Sequence, residues 1–198
     1  MIAVLDYGIG NLRSAEKALR HVGGDARLVR YAEGAEGASG VVVPGVGAFG
    51  ACVSALRASG LAAVATAAVE TGVPVLGICV GFQMLFDGSD EDPEVAGLGL
   101  LRGRVRELPD SVKRPQMQWN VLRPTRRGSR LFGGLSESPW VYFVHSFAPV
   151  PEAPDDEAVA ATCDYGGSVV AAVERGNLFG CQFHPEKSGR EGLAILSA

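Results

Sequence analysis

The chain has 198 residues, 47% of them hydrophobic and 20% charged, which is enough to bury a core without disulfides or metals, so one domain over residues 1–198 is expected. A formal net charge of −4, with Lys and Arg scattered along the chain, argues against a nucleic-acid or anionic-membrane surface and leaves small molecules or other proteins as partners. The N-terminus lacks a basic segment and reaches Asp6 early, and the strongest apolar helix candidate, LAAVATAAV, is too short to span a bilayer, so a cytoplasmic location is expected.

The first half alternates short β-branched runs with helical patterns. IAVLD reads as a strand, and NLRSAEKALRHVG as a helix whose Leu12, Ala15, Leu19 and Val22 share one face, with Gly23 and Gly24 as its stop. ARLVR and VVVP follow as strands, then one helical stretch from about Ala48 to Thr71, then the strand VPVLGI and a helix start in VGFQMLF. This alternation predicts an α/β fold with a parallel sheet and helices on both faces. The second half reads as closely spaced strands: LLRGRVREL, QWNVLRP, WVYFVHSF, AVAATCDY, SVVAAVE and LFGCQF. The last two flank the turn-like RGN as a hairpin, giving an antiparallel extension, and SGREGLAILSA closes the chain as a short helix.

Cys52, Cys79, Cys163 and Cys181 show no CxxC spacing, so neither a zinc site nor a disulfide framework is suggested. Three of them lie in apolar patterns as small buried hydrophobes, but Cys79 sits in Gly77-Ile-Cys79-Val-Gly81 between a strand and a helix. That is the nucleophile-elbow arrangement with Cys in place of Ser, in which flanking glycines let strand and helix pack around a strained turn. The helix start favours an anionic sulfur, and the Val80 N–H faces a developing oxyanion. The competing reading is a buried cysteine at a tight turn.

A cysteine nucleophile calls for a base, and the chain offers His21, His145 and His184. His21 lies at a helix end, where a solvated or dipole-compensating role suffices. His184 follows a strand in FHPE, and if its backbone is extended, as Pro185 favours, Glu186 projects on the same side and orients the imidazole. The plain alternative for HPE is an exposed turn. Joined to the elbow, it completes a Cys79–His184–Glu186 triad. GVGAFG, Gly45 to Gly50, formally matches a dinucleotide loop. The next strand, however, ends in Gly77-Ile78-Cys79 rather than in the acidic residue such a site requires. Gly45, Val46 and Gly47 are therefore read as a backbone loop turning an N–H toward the same oxyanion as Val80.

With these motifs the chain resembles the class I (triad) glutamine amidotransferases, most closely the glutaminase subunits of imidazole glycerol phosphate synthases. The resemblance is carried by DYGIGNLRS, PGVGAF, GICVGFQ, WN at Trp119 and Asn120, FVHSF and QFHPEKS, and runs almost end to end. It implies a flavodoxin-like amidotransferase fold, with Cys79 attacking the glutamine side-chain amide, His184 passing the proton to ammonia and Glu186 orienting His184. It also implies that Gln83, His145, Ser146 and Phe147 line the glutamine pocket. Where the family usually reads Pro-His-x-Gly-Trp-Asn, this chain has Pro115-Gln-Met-Gln-Trp-Asn120, which bears on the partner-facing surface.

No cofactor is expected, since no ATP loop and no acceptor domain are visible, and the ammonia therefore needs a partner. By resemblance that partner is the cyclase subunit, a (β/α)₈ barrel forming a heterodimer with this chain and using ammonia to make imidazole glycerol phosphate and an aminoimidazole carboxamide ribotide in histidine biosynthesis. Asn11, Trp119, Tyr142 and Lys187 match positions at the docking face. A non-catalytic phosphate-binding module, or the glutaminase of another synthase such as the one serving pyridoxal phosphate formation, are the alternative readings.

Overall fold

The computed structural model describes residues 1–125 and 128–198. Its first half runs β1 (Ile2–Leu5), α1 (Leu12–His21), β2 (Ala26–Val29), β3 (Gly40–Gly45), α2 (Phe49–Ala58), α3 (Leu61–Glu70), β4 (Val75–Cys79) and the single turn α4 (Val80–Gln83). The second half adds β5 (Gly88–Ser89), β6 (Gly103–Glu107), β7 (Gln116–Val121), β8 (Arg123–Pro124), β9 (Trp140–His145), β10 (Phe147–Pro151), β11 (Val159–Asp164), β12 (Ser168–Arg175), β13 (Leu178–Cys181) and α5 (Gly189–Ser197).

The main sheet has the order β2-β1-β3-β4-β13-β12-β11-β8. Pairing is parallel from β2 to β13 and antiparallel beyond it. The chain steps one way from β1 to β2 and the other way from β3 to β4, so right-handed crossovers put α1 on one face and α2 and α3 on the other. Every residue of β3 and β13 is buried, as strands covered on both faces require. α1 turns Leu12, Ala15, Ala18 and Leu19 inward, the face its three-and-four spacing foretells. Two smaller sheets, β10-β6-β5 and the antiparallel ribbon β7-β9, stand beside the main one. Among the described residues no single helix is long and apolar enough to cross a membrane.

The structure departs from the sequence reading in three places. The helix expected over residues 48–71 is two helices meeting at 87°, because Gly60 takes φ 76°, a left-handed corner that leaves the apolar spacing intact on either side. The run WVYFVHSF is divided at Ser146 between β9 and β10, which belong to different sheets. The helix after the elbow is only one turn, and Met84, Leu85 and Phe86 continue it as fully buried anchors rather than as a helix.

The elbow turn lies unusually close to the sheet. A Cβ on Gly81 would stand 1.8 Å from the Val43 carbonyl oxygen, and one on Gly180 would stand 2.0 Å from the Phe82 ring. Phe82 is fully buried and meets Phe86 edge to face at 5.4 Å, while Phe143 meets Phe183 at 5.7 Å. Each such ring contributes roughly 1.5–3 kcal/mol by burial, and the Phe82 ring packed over Gly180 anchors the turn carrying Cys79.

Candidate active site

Strand register brings the site together. Gly45 pairs with Cys79 on one side of β4, and Cys181 pairs with Ile78 on the other, so the chain leaving β13 passes directly beside Cys79. Cys79 has φ 55° and ψ −113° and is the one non-glycine residue with positive φ among those described. A backbone held there costs on the order of 1–3 kcal/mol, and the close packing of the turn enforces it. The sulfur is nearly buried and lies 3.9 Å from the Val144 carbonyl and 3.8 Å from Gln182 Nε2.

His184 Nδ1 lies 2.8 Å from Glu186 Oε1, with both side chains at most 3% exposed. A carboxylate only accepts, so Nδ1 carries the hydrogen, and the buried Nε2 has no hydrogen-bond partner. Burial works to lower the His184 pKa, but the Cys79 sulfur and the Glu186 carboxylate outweigh it and raise the value to about 9. His184 is extended, at φ −99° and ψ 97°, but Pro185–Lys187 form a 3₁₀ turn. Glu186 therefore reaches the imidazole from a turn and not along an extended strand. Ser188 pins that turn to β9: its hydroxyl donates to the His184 carbonyl at 2.6 Å and accepts from Tyr142 N–H at 3.0 Å.

A cavity of about 250 Å³ opens over these groups, lined by Cys79, Val80, Gln83, Val46, Gly47, Glu91, His145, Ser146, Phe147 and His184 among others. Glu186 stands behind His184. Gly45 is a buried strand-end residue beside Cys79 and does not line the cavity, whereas Val46 and Gly47 do. Gln83 Nε2 donates to the Phe147 carbonyl at 2.8 Å and to Gln182 Oε1 at 3.1 Å. His145 Nδ1 bonds the same Phe147 carbonyl at 2.9 Å. Burial lowers the His145 pKa to about 4, so the ring is neutral at physiological pH, and His145 lines the pocket while His184 carries the proton.

Sequence reasoning missed several contributors. Glu91, in the acidic run SDEDPE, faces the cavity, and its Oε2 accepts from Phe49 N–H at 2.8 Å. Behind the glycine loop, the Tyr7 hydroxyl donates to the Pro44 carbonyl and the Cys52 thiol donates to the Val46 carbonyl at 3.3 Å. Burial raises both pKa values, that of Cys52 to about 11, which keeps the two groups protonated and able to donate.

Outside the cavity, the β7-β9 ribbon pairs Met117 with Val144, Trp119 with Tyr142 and Val121 with Trp140. The pleat gathers these residues on one face, where Met117, Trp119 and Trp140 are exposed and the Trp119 and Tyr142 rings lie 6.1 Å apart. The same face ends at Val144, which lines the cavity. Lys187 is exposed on the turn packed against β9, and exposed Asn11 stands just before α1, its side chain accepting from the Ser14 hydroxyl at 2.8 Å. Gln116 is fully buried with its amide toward Cys163, so of the two unusual glutamines only Gln118 reaches the surface.

Residues 3–197 match the family model described as Glutamine amidotransferase class-I. The chain is 46% identical over 195 residues to "Imidazole glycerol phosphate synthase subunit HisH" of Moorella thermoacetica, covering 98% of this chain and 91% of that protein. It is 47% identical over 196 residues to the protein of the same name in Symbiobacterium thermophilum, covering 99% and 91%. A solved structure described as a glutamine amidotransferase superposes with TM-score 0.73 at 25% identity, covering 100% of this chain and 99% of that one.

Proposed function

The chain belongs to the class I glutamine amidotransferase family, and on that premise we propose that it is the glutaminase subunit of an imidazole glycerol phosphate synthase, with Cys79, His184 and Glu186 as its catalytic triad. The observation that carries the assignment is the buried His184–Glu186 pair at 2.8 Å, with Nε2 unpartnered in the cavity that holds the Cys79 sulfur. A base with its orienter and a nucleophile on a strained elbow meet where a substrate carbonyl can enter.

In this reading the Cys79 sulfur attacks the side-chain carbonyl carbon of glutamine. Val80 N–H and the loop of Val46 and Gly47 stabilise the oxyanion, with Gly45 fixing that loop against the elbow. His184 gives its proton to the departing nitrogen, and ammonia leaves a thioester on Cys79. The imidazole then takes a proton from water, which hydrolyses the thioester to glutamate. Gln83, His145, Ser146 and Phe147 shape the pocket, and the Glu91 carboxylate receives the substrate ammonium.

Ammonia release alone is futile, so a cyclase subunit consumes it; in the finer form of the proposal that subunit is a (β/α)₈ barrel, bound as a heterodimer partner. Its docking face includes Asn11, Trp119, Tyr142 and Lys187, and the exposed aromatic ridge continuous with the cavity supports this, since large aromatics are the usual anchors of interfaces. Docking also gates the glutaminase. The segment from Asp6 to Asn11 ends on the docking face and sends the Tyr7 hydroxyl to the Pro44 carbonyl, so movement at that face bears on the oxyanion loop. Gly47, at φ 98°, makes a peptide rotation there inexpensive. The test is glutamine turnover by the chain alone, by the complex, and by the complex with an unreactive nucleotide analogue. A low rate that rises along this series is expected, since one missing oxyanion donor is worth roughly 10²–10³ in turnover. Equal rates in all three would overturn the gating, and no turnover in any would overturn the function.

A further inference from the structure

We propose that Gln182 is a catalytic residue of the same reaction, its side-chain amide donating a hydrogen bond that binds the Cys79 sulfur in its anionic form; the inference rests on Cys79 being the nucleophile. Gln182 is fully buried, which an amide side chain tolerates only when its polar atoms have partners. Both are supplied: Nε2 lies 3.8 Å from Cys79 Sγ, and Oε1 accepts from Gln83 Nε2 at 3.1 Å.

The direction of this chain is set at its far end. The Phe147 carbonyl only accepts, so the Gln83 atom 2.8 Å from it is the nitrogen. That nitrogen also faces Gln182, which must meet it with oxygen. Turning the Gln182 amide over would set two NH₂ groups together and press a carbonyl oxygen against the sulfur. Gln182 therefore offers an N–H to Cys79.

Its placement follows from the sheet. Gln182 continues β13 one residue past the Cys181–Ile78 pair, with its main-chain N–H bonded to the Ala171 carbonyl at 2.8 Å. The chain bends at Gln182 and Phe183 as it leaves β13, and this one stretch delivers both a hydrogen-bond donor, Gln182, and a base, His184, to Cys79. Another polar neighbour of the sulfur, the Val144 carbonyl, accepts from a thiol and offers nothing to an anion. For the thiolate the sulfur thus has two partners, the His184 imidazolium and the Gln182 amide, while the Val144 carbonyl serves only the thiol.

In the reaction the thiolate forms the S–C bond as the C–N bond breaks and the proton of His184 leaves with ammonia. Water attack then breaks the S–C bond, and the electron pair returns to sulfur, where the Gln182 N–H binds it again. Gln182 thus favours both the attacking and the departing sulfur.

The test is alkylation of Cys79 by iodoacetamide on the full chain, followed by mass spectrometry, alongside glutamine turnover in the complex. Cys79 lines the cavity, whereas Cys52, Cys163 and Cys181 do not and are held protonated by burial, so they do not compete. Gln182→Met keeps the length and removes the N–H. Alkylation at neutral pH and kcat should both fall about tenfold or more, the scale of a lost hydrogen bond to an ionised group, with a smaller change in KM. In Gln182→Glu the deficit should deepen as pH rises, because an ionised carboxylate repels the sulfur, whereas lost packing is independent of pH. Wild-type alkylation in both variants would overturn the proposal. If circular dichroism shows Gln182→Met to be unfolded, the pH trend of Gln182→Glu decides, and a flat deficit overturns it. A Cys79→Ser chain that still hydrolyses glutamine would instead overturn the nucleophile assignment beneath it.

Discussion

Replacing Glu186 with Gln tests how the His184 proton is held. An amide oxygen still accepts from Nδ1–H, so the ring keeps its place while losing its countercharge. Burial alone pulls the His184 pKa below the ordinary 6.5, and the value of about 9 is reached because Cys79 and Glu186 together overcome that pull. Their joint effect therefore exceeds the net rise of about 2.5, the difference between about 9 and 6.5. Removing the Glu186 charge should therefore lower the His184 pKa, by on the order of one pH unit, about tenfold in the imidazolium population once it is limiting. A raised pKa keeps the proton on His184 below about 9 and loses it as pH rises through that value, so in kcat/KM, which reports the free enzyme, the wild-type alkaline limb falls near there. In Glu186→Gln that limb should begin to fall about one pH unit lower, so that the loss in kcat/KM is small at neutral pH and grows toward about tenfold above about pH 9. The assay is glutamate release by the complex from pH 6 to 10. An unmoved alkaline limb with unchanged kcat would refute the reasoning and return HPE to a structural turn.

His184→Ala should cost more than Glu186→Gln, about 10²–10⁴ in kcat, because the proton carrier itself is gone; turnover near wild type would exclude it as the base. Gly81→Ala would set a Cβ 1.8 Å from the Val43 carbonyl; a loss of about 1–3 kcal/mol in thermal or urea unfolding is expected together with lost turnover, and a wild-type melt would show that the turn is not tightly clamped. Trp119→Ala, at a residue 48% exposed in this chain, should leave the fold stable but weaken cyclase binding by about 2 kcal/mol, roughly thirtyfold in Kd by titration calorimetry; unchanged affinity would move the docking face elsewhere.

The parallel half of the fold is legible because VVVP and VPVLGI are short apolar β-branched runs whose strands are buried on both faces, and RGN marks its hairpin by local turn chemistry. Long-range pairing is what local pattern cannot supply. LFGCQF is readable as a hairpin arm, but its parallel partnership with β4, which sets His184 and Gln182 beside Cys79, depends on residues a hundred positions away. The break at Gly60 escapes for a related reason, since the three-and-four spacing continues through it and only the backbone angle reveals the corner. Glu91 carries no local motif, and its place on the cavity wall comes from the fold, which bonds it to the Phe49 N–H 42 positions away. The Glu186 contact is anticipated through the wrong local geometry: two residues along a strand and the 3₁₀ turn that forms both bring a carboxylate to the imidazole.

The most direct test of the central claim, that Cys79 releases glutamine nitrogen for a cyclase, is to give the complex glutamine labelled with ¹⁵N at the side-chain amide together with unlabelled ammonium. With the wild-type chain the imidazole product should carry ¹⁵N; with Cys79→Ser, product should still form but from ammonium alone, without label, because a hydroxyl is a far poorer nucleophile than a thiolate. Labelled product from the Cys79→Ser complex would contradict the account.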